Sequence, residues 1–300
     1  MKIAISGLGR MGSQIARKLH EGGHIVIAHN RSGGLVDEMK DLGMIGAYSK
    51  EEVVSYFDND PVVIWLMVPS DVVDSELDIW LTLIPKGSIL IDGGNSKWSD
   101  TKRRAQKVEE NGCVLLDVGT SGGVWGYQNG FSMMVGGNKE AYEIIRSVLE
   151  VLEKPEGMHS YFGESGSGHY VKMVHNAIEY GMMESLAEGY RLLKEGPYKD
   201  IDLYKAGDVW QHHSVITSWL NELTRDALKE NPTQEGVEGF VAESGEARWA
   251  LEVARDYDIE TPAILSSFDV RIASQKGKVN FATKLLASMR NAFGGHKINK

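Results

Sequence analysis

The first half of the chain alternates short apolar runs with segments in which apolar residues recur every three or four positions. The apolar runs predict buried β-strands at residues 2–6, 24–29, 62–68, 88–92, 113–118 and 131–135. The periodic segments predict α-helices at residues 11–20, 72–83, 100–111 and 139–152. Strands that alternate with helices in this way are typical of a doubly wound sheet. Residues 1–164 are therefore predicted to form an α/β domain with a mostly parallel sheet.

A glycine- and serine-rich stretch at residues 164–168 separates this region from one in which only helical patterns remain. Helices are predicted there at residues 168–194, 202–210, 214–231, 246–256, 261–275 and 280–293. Residues 165–300 are therefore predicted to form a second, all-α domain.

The first helix of the second region carries two different stripes. An aliphatic stripe repeats at spacings of three and four, and its members are Val171, Val174, Ile178 and Met182. A second stripe holds Lys172, Asn176, Glu179 and Met183. Its amine and carboxylate stand two turns, or about 10 Å, apart along the axis, which suits a base and an acid acting on different atoms of one small substrate. An ordinary solvated Lys/Glu face is the alternative interpretation.

The amino-acid composition limits which binding partners and metal sites the chain is expected to have. The chain has 300 residues, 42% of them apolar, and a formal charge of −10, which argues against nucleic acid but allows a small anion in a cleft lined by arginines. The single cysteine, Cys113, excludes an internal disulfide and fits a core thiol. No clustered His, Cys and carboxylate set indicates a metal. No long apolar run or signal peptide is seen, so a cytoplasmic protein is expected.

The sequence GLGRMG follows the first strand and opens the first helix. Gly7 permits the tight turn, Gly9 lets the backbone approach a pyrophosphate, and Gly12 lets helix and strand pack closely. In this strand–turn–helix–strand context the motif predicts a Rossmann dinucleotide site. The expected cofactor contacts within the turn are Gly7, Leu8, Gly9, Arg10, Met11 and Gly12.

The second strand ends in Asn30-Arg31-Ser32, where sites for NAD usually carry an acidic residue for the ribose hydroxyl. Asn30 would not repel a 2′-phosphate, Arg31 would attract it and Ser32 could donate to it. The segment therefore favours NADP, with NAD as an alternative, while a surface role for Arg31 is the competing interpretation.

Two further strand ends are expected to face the cofactor. The third apolar run ends in Val68 and Pro69, and the next leads to Asn95. Asn95 could instead cap the following helix. The glycine-rich turn after residue 118 exposes backbone donors to a carboxylate or another anion.

Several segments together resemble the 6-phosphogluconate dehydrogenases of the β-hydroxyacid dehydrogenase superfamily. They are GLGRMG, Asn30-Arg31-Ser32, LIDGGNSKWSDT, the SGG turn at residues 121–123, GHYVKMVHNAIEYGMME and the tail FATKLLASMRNAFGGHKI. The resemblance spans most of the chain and corresponds to a short form with one helical half. It implies that residues 1–164 bind the dinucleotide, and that residues 165–300 bind substrate and mediate assembly into a homodimer or higher homo-oligomer.

The resemblance also implies roles for individual residues. Lys172 would be the general base and Glu179 the acid, and Asn95 would touch both cofactor and substrate. The other implied substrate ligands are Ser121, Gly122 and Gly123 for the C1 carboxylate, His175 and Asn176 for the hydroxyls, Tyr180, Arg271 and Arg290 for the phosphate, and His296. Arg248, in GEARW, would replace a phosphate-binding lysine of the long enzymes, although an arginine fork is not equivalent to an ammonium.

The implied reaction is oxidative decarboxylation of 6-phosphogluconate to ribulose 5-phosphate and CO₂, with reduction of NADP or NAD, as in the pentose phosphate pathway. Lys172 can accept the 3-hydroxyl proton only when neutral, so its pKa must fall toward the working pH. The nearest alternative is another β-hydroxyacid dehydrogenase, acting on 3-hydroxyisobutyrate or a tartronate-type acid. Those substrates carry no phosphate, so the discriminating feature is whether Arg248, Arg271 and Arg290 converge near Tyr180. A non-catalytic NADPH-binding regulator would not need Lys172 and Glu179.

Overall fold

The computed structural model describes residues 1–295 and divides the chain into two compact units, residues 1–172 and residues from Met173 onward. The first unit contains a sheet whose strands are β1 (Lys2–Ser6), β2 (Ile25–His29), β3 (Ile45–Ala47), β4 (Val63–Leu66), β5 (Ile89–Asp92), β6 (Val114–Ser121), β7 (Ser132–Gly137) and β8 (Met158–Gly163). Their order across the sheet is β3-β2-β1-β4-β5-β6-β7-β8. Every neighbouring pair is parallel except β6 and β7. The predicted doubly wound, mostly parallel sheet is confirmed.

Helices connect the strands of the first unit. They are α1 (Arg10–Glu21), α2 (Gly33–Asp41), α3 (Lys50–Ser55), α4 (Val73–Leu83), α5 (Trp98–Glu110), α6 (Gly126–Asn129) and α7 (Lys139–Leu152). Strands β4 and β5 are buried along their whole length, because helices cover both faces of a parallel sheet and leave no solvated side. Their side chains divide between two apolar clusters: Trp65 and Ile91 enter one, Ile64 and Leu90 the other.

The strand order reverses at β1, which pairs with β2 on one side and β4 on the other. At such a reversal the connections leave in opposite directions and open a crevice at the carboxyl ends of the strands. The glycine turn between β1 and α1 stands at this point. Topology therefore places the predicted dinucleotide motif where open α/β sheets bind ligands.

The second unit is helical, as predicted. Helix α8 (Ser167–Glu195) contains the boundary between the units, and the remaining helices are α9 (Leu203–Gln211), α10 (Trp219–Glu230), α11 (Glu246–Asp256), α12 (Pro262–Gln275) and α13 (Phe281–Gly294). The core of this unit gathers residues such as Met183, Tyr190 and Leu286. Among residues 1–295, none of the helices is long and apolar enough to cross a membrane.

The aliphatic stripe identified on α8 is not the face that packs into the core. Ile178 is 52% exposed and Met182 45% exposed, whereas Met183 is fully buried. The core face instead carries Ala177, Tyr180 and Met183 at spacings of three. An aromatic residue and a methionine thus fill the interior, and the branched aliphatic side chains lie outside it.

Candidate active site

The glycine turn after β1 has the geometry that the sequence motif requires. Gly7 adopts φ = +103°, and a Cβ atom at this position would lie 2.4 Å from the Met67 carbonyl oxygen. A Cβ at Gly12 would lie 1.9 Å from the Gly7 carbonyl oxygen. A Cβ at Gly9, in contrast, would meet no atom of the described residues within 4 Å. The turn is therefore tightly packed at Gly7 and Gly12 and open at Gly9. The first turn of α1 begins there and has backbone N–H groups without helical partners. These residues fit a dinucleotide pyrophosphate.

Asn30 has a structural task in this turn. Its side-chain oxygen accepts a hydrogen bond of 3.0 Å from the Leu8 amide, and its side-chain nitrogen donates to the Ser32 carbonyl at 3.3 Å. Arg31 and Ser32 are exposed at the end of β2. The amide thus links the glycine turn to the adjacent strand end, and the predicted role of Arg31 at the adenosine ribose stays a prediction.

A hydrogen-bonded network joins the two other strand ends that the sequence predicts to face the cofactor. Arg104 of α5, 3% exposed, donates to the Ser70 carbonyl at 2.9 Å and to Ser96 Oγ at 3.2 Å. Asp92, at the end of β5, accepts from Ser96 Oγ at 2.7 Å. Arg104 also pairs with Asp74, whose pKa is held well below its usual range by Arg103 and Arg104. This network fixes the residues that follow Pro69 and Asn95. The sequence did not predict it, because an arginine on an amphipathic helix is usually exposed to solvent.

The turn after β6 is built from glycines with positive φ. Strand β6 ends at Ser121, and Gly122 and Gly123 adopt φ = +128° and +54°. Backbone turns of this kind can bring successive N–H groups together as donors to an anion. The geometry is compatible with the carboxylate-binding role that the sequence assigns to this turn.

Lys172 is buried, with 8% of its surface exposed, and its stem packs against the backbone of β6 at Gly119. A Cβ atom at Gly119 would lie 2.4 Å from Lys172 Cβ, so only glycine allows this approach. The buried carboxylate of Asp117 accepts backbone hydrogen bonds of 2.8 Å from Gly166 and from His169. Asp117 thereby anchors the beginning of α8 to β6 and fixes where Lys172 stands along the strand.

Farther along the same helix, in the second unit, polar side chains form a connected chain. Asn176 Nδ2 donates to Glu246 Oε1 at 2.8 Å, and Asn176 Oδ1 lies 2.9 Å from His175 Nδ1. Glu246 begins α11 and is 1% exposed. It was absent from the sequence-based site, because nothing in the local pattern distinguishes it from an ordinary first-turn glutamate.

Two of the three predicted arginines converge near Tyr180. The Arg271 guanidinium stacks on the Tyr180 ring, with its carbon 3.2 Å from the ring centroid. Burial lowers the pKa of Arg271 to about 10 and also lowers the pKa of Arg290. Arg290 interacts electrostatically with Arg271, Tyr180 and Glu179. Two buried guanidiniums of like charge beside one another favour an anionic ligand.

Arg248 lies differently from this pair. Its side chain is 53% exposed, forms an ion pair with Glu243 and extends over the Phe268 ring at 5.7 Å. His296 lies outside the described residues. The described part of the cluster therefore comprises Tyr180, Arg271 and Arg290.

Glu184, one and a half turns beyond Glu179, is a buried carboxyl that the sequence did not single out. Burial, and then repulsion from Glu188, raise the pKa of Glu184 to about 7 from 4.5, and Arg271 opposes this shift. A carboxyl group whose pKa is raised on folding stabilises the protein when protonated and costs stability as pH rises through its folded-state value.

Glu184→Gln should therefore gain stability over the parent protein as pH rises from 5 to 8. We expect a gain on the order of 1–3 kcal/mol at pH 8 and little difference at pH 5. Urea unfolding across this range measures the change, with Glu230→Gln, an exposed carboxyl on α10, as the control. A pH-independent difference between Glu184→Gln and the parent would contradict the prediction.

Comparison with known proteins identifies a family for this chain. The model described as the NAD binding domain of 6-phosphogluconate dehydrogenase matches residues 2–163, and that of the 6-phosphogluconate dehydrogenase C-terminal domain matches residues 168–300. The NAD(+)-dependent, decarboxylating 6-phosphogluconate dehydrogenase of Haloferax volcanii is 37% identical over 99% of this chain and 98% of its own length. The NADP(+)-dependent, decarboxylating enzyme of Bacillus subtilis is 32% identical over 91% of this chain and 61% of its own.

A solved structure agrees with the sequence comparisons. The 6-phosphogluconate dehydrogenase of Plasmodium falciparum, determined in its apo form and in complexes with NADP+ and with 6-phosphogluconate, superposes with a TM-score of 0.84 at 28% identity. The match covers 93% of this chain and 63% of that one, so the chain spans less than two thirds of this long enzyme. By these matches, the chain belongs to the 6-phosphogluconate dehydrogenase family.

Proposed function

We propose that this protein catalyses oxidative decarboxylation of 6-phosphogluconate to ribulose 5-phosphate and CO₂ with reduction of NADP or NAD. The observation that carries the proposal is the pairing of buried Arg271 and Arg290 around Tyr180, because a phosphorylated sugar acid requires such a site and a short hydroxyacid does not. Full-length similarity to a decarboxylating enzyme of the same size supports it.

The chain's own residues account for each proton that moves. Lys172 takes the proton of the 3-hydroxyl while the nicotinamide, when bound, supplies the hydride acceptor. The protonated amine then stabilises the oxygen at C3 as the C1–C2 bond breaks and CO₂ leaves with its carboxylate oxygens. The electron pair of that bond becomes the C2=C3 double bond, and the C3 oxygen takes a proton from Lys172 to give the enediol. That proton returns to Lys172 as Glu179 protonates C2, which leaves the ketone of ribulose 5-phosphate. Lys172 and Glu179 both belong to α8, seven residues or about two helical turns apart in sequence.

We further propose that substrate binding divides among three groups of residues. Backbone donors at residues 121–123 bind the C1 carboxylate, and Asn95, His175 and Asn176 bind the hydroxyls. Tyr180, Arg271 and Arg290 bind the phosphate. Arg248 remains a candidate phosphate ligand whose guanidinium would have to leave its ion pair with Glu243. His296 remains a candidate from the sequence resemblance.

The alternative function, a dehydrogenase of 3-hydroxyisobutyrate or a tartronate-type acid, leaves the buried guanidinium pair without a task. One assay separates the candidates: 6-phosphogluconate, D-gluconate and 3-hydroxyisobutyrate are each offered with NADP and with NAD. Absorbance at 340 nm and evolved CO₂ are followed together. Equal amounts of reduced cofactor and CO₂ with 6-phosphogluconate, together with a much lower kcat/KM for D-gluconate and no reaction of 3-hydroxyisobutyrate, support the proposal. Reduction of cofactor by 3-hydroxyisobutyrate without CO₂ would replace it.

Cofactor preference is proposed to depend on Arg31, which stands exposed where a 2′-phosphate would bind. Arg31→Asp should lower kcat/KM for NADP about 10- to 100-fold and raise the NAD/NADP ratio, because a carboxylate repels the phosphate and accepts from the ribose hydroxyl. Initial rates at varied NADP and NAD measure the ratio, with Arg17→Asp on α1 as the control. If the ratio is unchanged in Arg31→Asp, the role assigned to Arg31 is wrong.

We also propose that the protein assembles into a homodimer or a higher homo-oligomer through its second unit. Large apolar side chains remain exposed there, among them Leu192 at 74% and Val209 at 70%. Apolar surface of this kind is typical of association surfaces. A cytoplasmic location remains a prediction from the sequence.

A further inference from the structure

We propose that Glu246 is a positioning residue that sets the tautomer of His175 through Asn176. In the resulting state His175 carries its proton on Nδ1 and offers Nε2 as a hydrogen-bond acceptor to a substrate hydroxyl. The character of Glu246 and two consecutive contacts within the second unit carry the inference. Only its consequence for substrate rests on the proposed function, since the tautomer itself is a property of the protein alone.

The first step is the chemical character of Glu246. Its side chain is 1% exposed and stands in the first turn of α11, where the positive end of the helix dipole favours negative charge. The Arg290 guanidinium interacts favourably with it across the unit. A carboxylate in this position can only accept hydrogen bonds.

The second step is the orientation of the Asn176 amide. Glu246 Oε1 lies 2.8 Å from Asn176 Nδ2. Rotating the amide by 180° would place its oxygen against the carboxylate oxygen at this distance, which exchanges a charge-assisted hydrogen bond for repulsion. Glu246 therefore fixes the amide with its nitrogen toward α11 and its oxygen toward His175.

The third step is the histidine. Asn176 Oδ1 lies 2.9 Å from His175 Nδ1, and an amide oxygen can only accept, so Nδ1 must carry the proton. In the neutral ring Nε2 is then unprotonated and can accept. A hydroxyl donor pairs with this tautomer, whereas the opposite tautomer would present an N–H and require an acceptor. The carboxylate on α11 thus determines that His175 Nε2 accepts a hydrogen bond from a sugar hydroxyl and does not donate one.

The test reads the tautomer directly in the full-length protein without substrate. Two-bond ¹⁵N–¹H correlation spectra of ¹⁵N-histidine-labelled protein at pH 8 assign protonation to each ring nitrogen, and His175→Asn identifies the resonance. We expect a predominantly Nδ1–H ring in the parent protein and in Asp256→Asn, an exposed carboxyl change on the same helix. Glu246→Gln should give a mixture of tautomers, because a carboxamide accepts or donates and no longer fixes Asn176.

Kinetics provide the second readout. Glu246→Gln should raise KM for 6-phosphogluconate about 5- to 10-fold with a smaller change in kcat, as expected for one misoriented hydroxyl contact. An Nε2–H ring in the parent protein, or an unchanged Nδ1–H ring in Glu246→Gln, overturns the inference whether or not the variant is active. Failure of 6-phosphogluconate as substrate would leave the spectra unaffected, so the two proposals fail separately.

Discussion

Lys172→Met is expected to lower kcat with 6-phosphogluconate about 10²- to 10⁴-fold, the range associated with loss of a general base. Methionine retains an unbranched stem that can pack against Gly119, so the beginning of α8 should keep its position. It cannot accept the 3-hydroxyl proton or place positive charge beside the developing enediol oxygen. Initial rates at saturating substrate measure the loss, and fluorescence titration with NADPH measures whether cofactor affinity is retained.

Lys194→Met is the matched control, because Lys194 lies on the same helix in its last turn, with its ammonium over the Phe281 ring. It should retain kcat within about twofold, which corresponds to a few tenths of a kcal/mol. If Lys172→Met keeps more than a few per cent of parental kcat, another group takes the proton and the assignment of Lys172 is incorrect. Loss of NADPH binding together with activity would instead indicate a displaced helix.

The sheet could be predicted because its central strands are apolar on both faces. β1 matches its predicted residues, and β4 and β5 fall within theirs, since runs such as VVIWLMV can be accommodated only beneath two helical layers. The elements that were missed, such as α2, β3 and α3, lie near the edge of the sheet. There IGA is too short to show a period, and the glycines that begin α2 conceal the helix start.

The helices of the second unit could be predicted in number and approximate position, and within residues 1–295 only the start of α10 differs from its prediction by more than one residue. Asn280 caps α13 and Pro262 occupies the first turn of α12, and both starts fall within one residue of prediction. Helix α10 begins at Trp219, later than predicted, because Ser218 caps it and Thr217 Oγ1 bonds back to the Trp210 carbonyl. Hydrophobic spacing alone could not distinguish that turn from the helix.

For the site, the sequence could predict the spacing of residues within one helix or turn, but it could not predict contacts between different elements. The spacing of Lys172 and Glu179 follows from helix geometry, and the glycine turn follows from its motif. Contacts between α8 and α11, or between α5 and two strand ends, depend on packing angles that no local pattern encodes. Glu246 and Arg104 were missed for this reason. The same limit explains why Arg248 was grouped with Arg271 and Arg290, although it pairs with Glu243.

Arg271→Met is expected to raise KM for 6-phosphogluconate about 100-fold, which corresponds to about 3 kcal/mol for the loss of a charge-assisted contact to phosphate. Methionine can fill much of the space beside Tyr180, and the fold should survive for a further reason. Arg271 lowers the pKa of Glu184, so its removal lets Glu184 take up a proton more readily and avoids a buried unpaired carboxylate. Initial rates at varied substrate give KM, and kcat should change less because Arg271 is assigned to binding.

D-gluconate makes the test specific, because it is the same sugar acid without the phosphate. Arg271→Met should leave kcat/KM for D-gluconate within about threefold of the parental value, since no phosphate contact exists to lose. Arg255→Met, an exposed arginine on α11, should leave both substrates unaffected. Equal losses with 6-phosphogluconate and D-gluconate would mean that Arg271 supports the second unit and does not bind the phosphate. The preference for a phosphorylated substrate is attributed to two buried guanidiniums. That outcome would therefore favour an unphosphorylated hydroxyacid as the natural substrate.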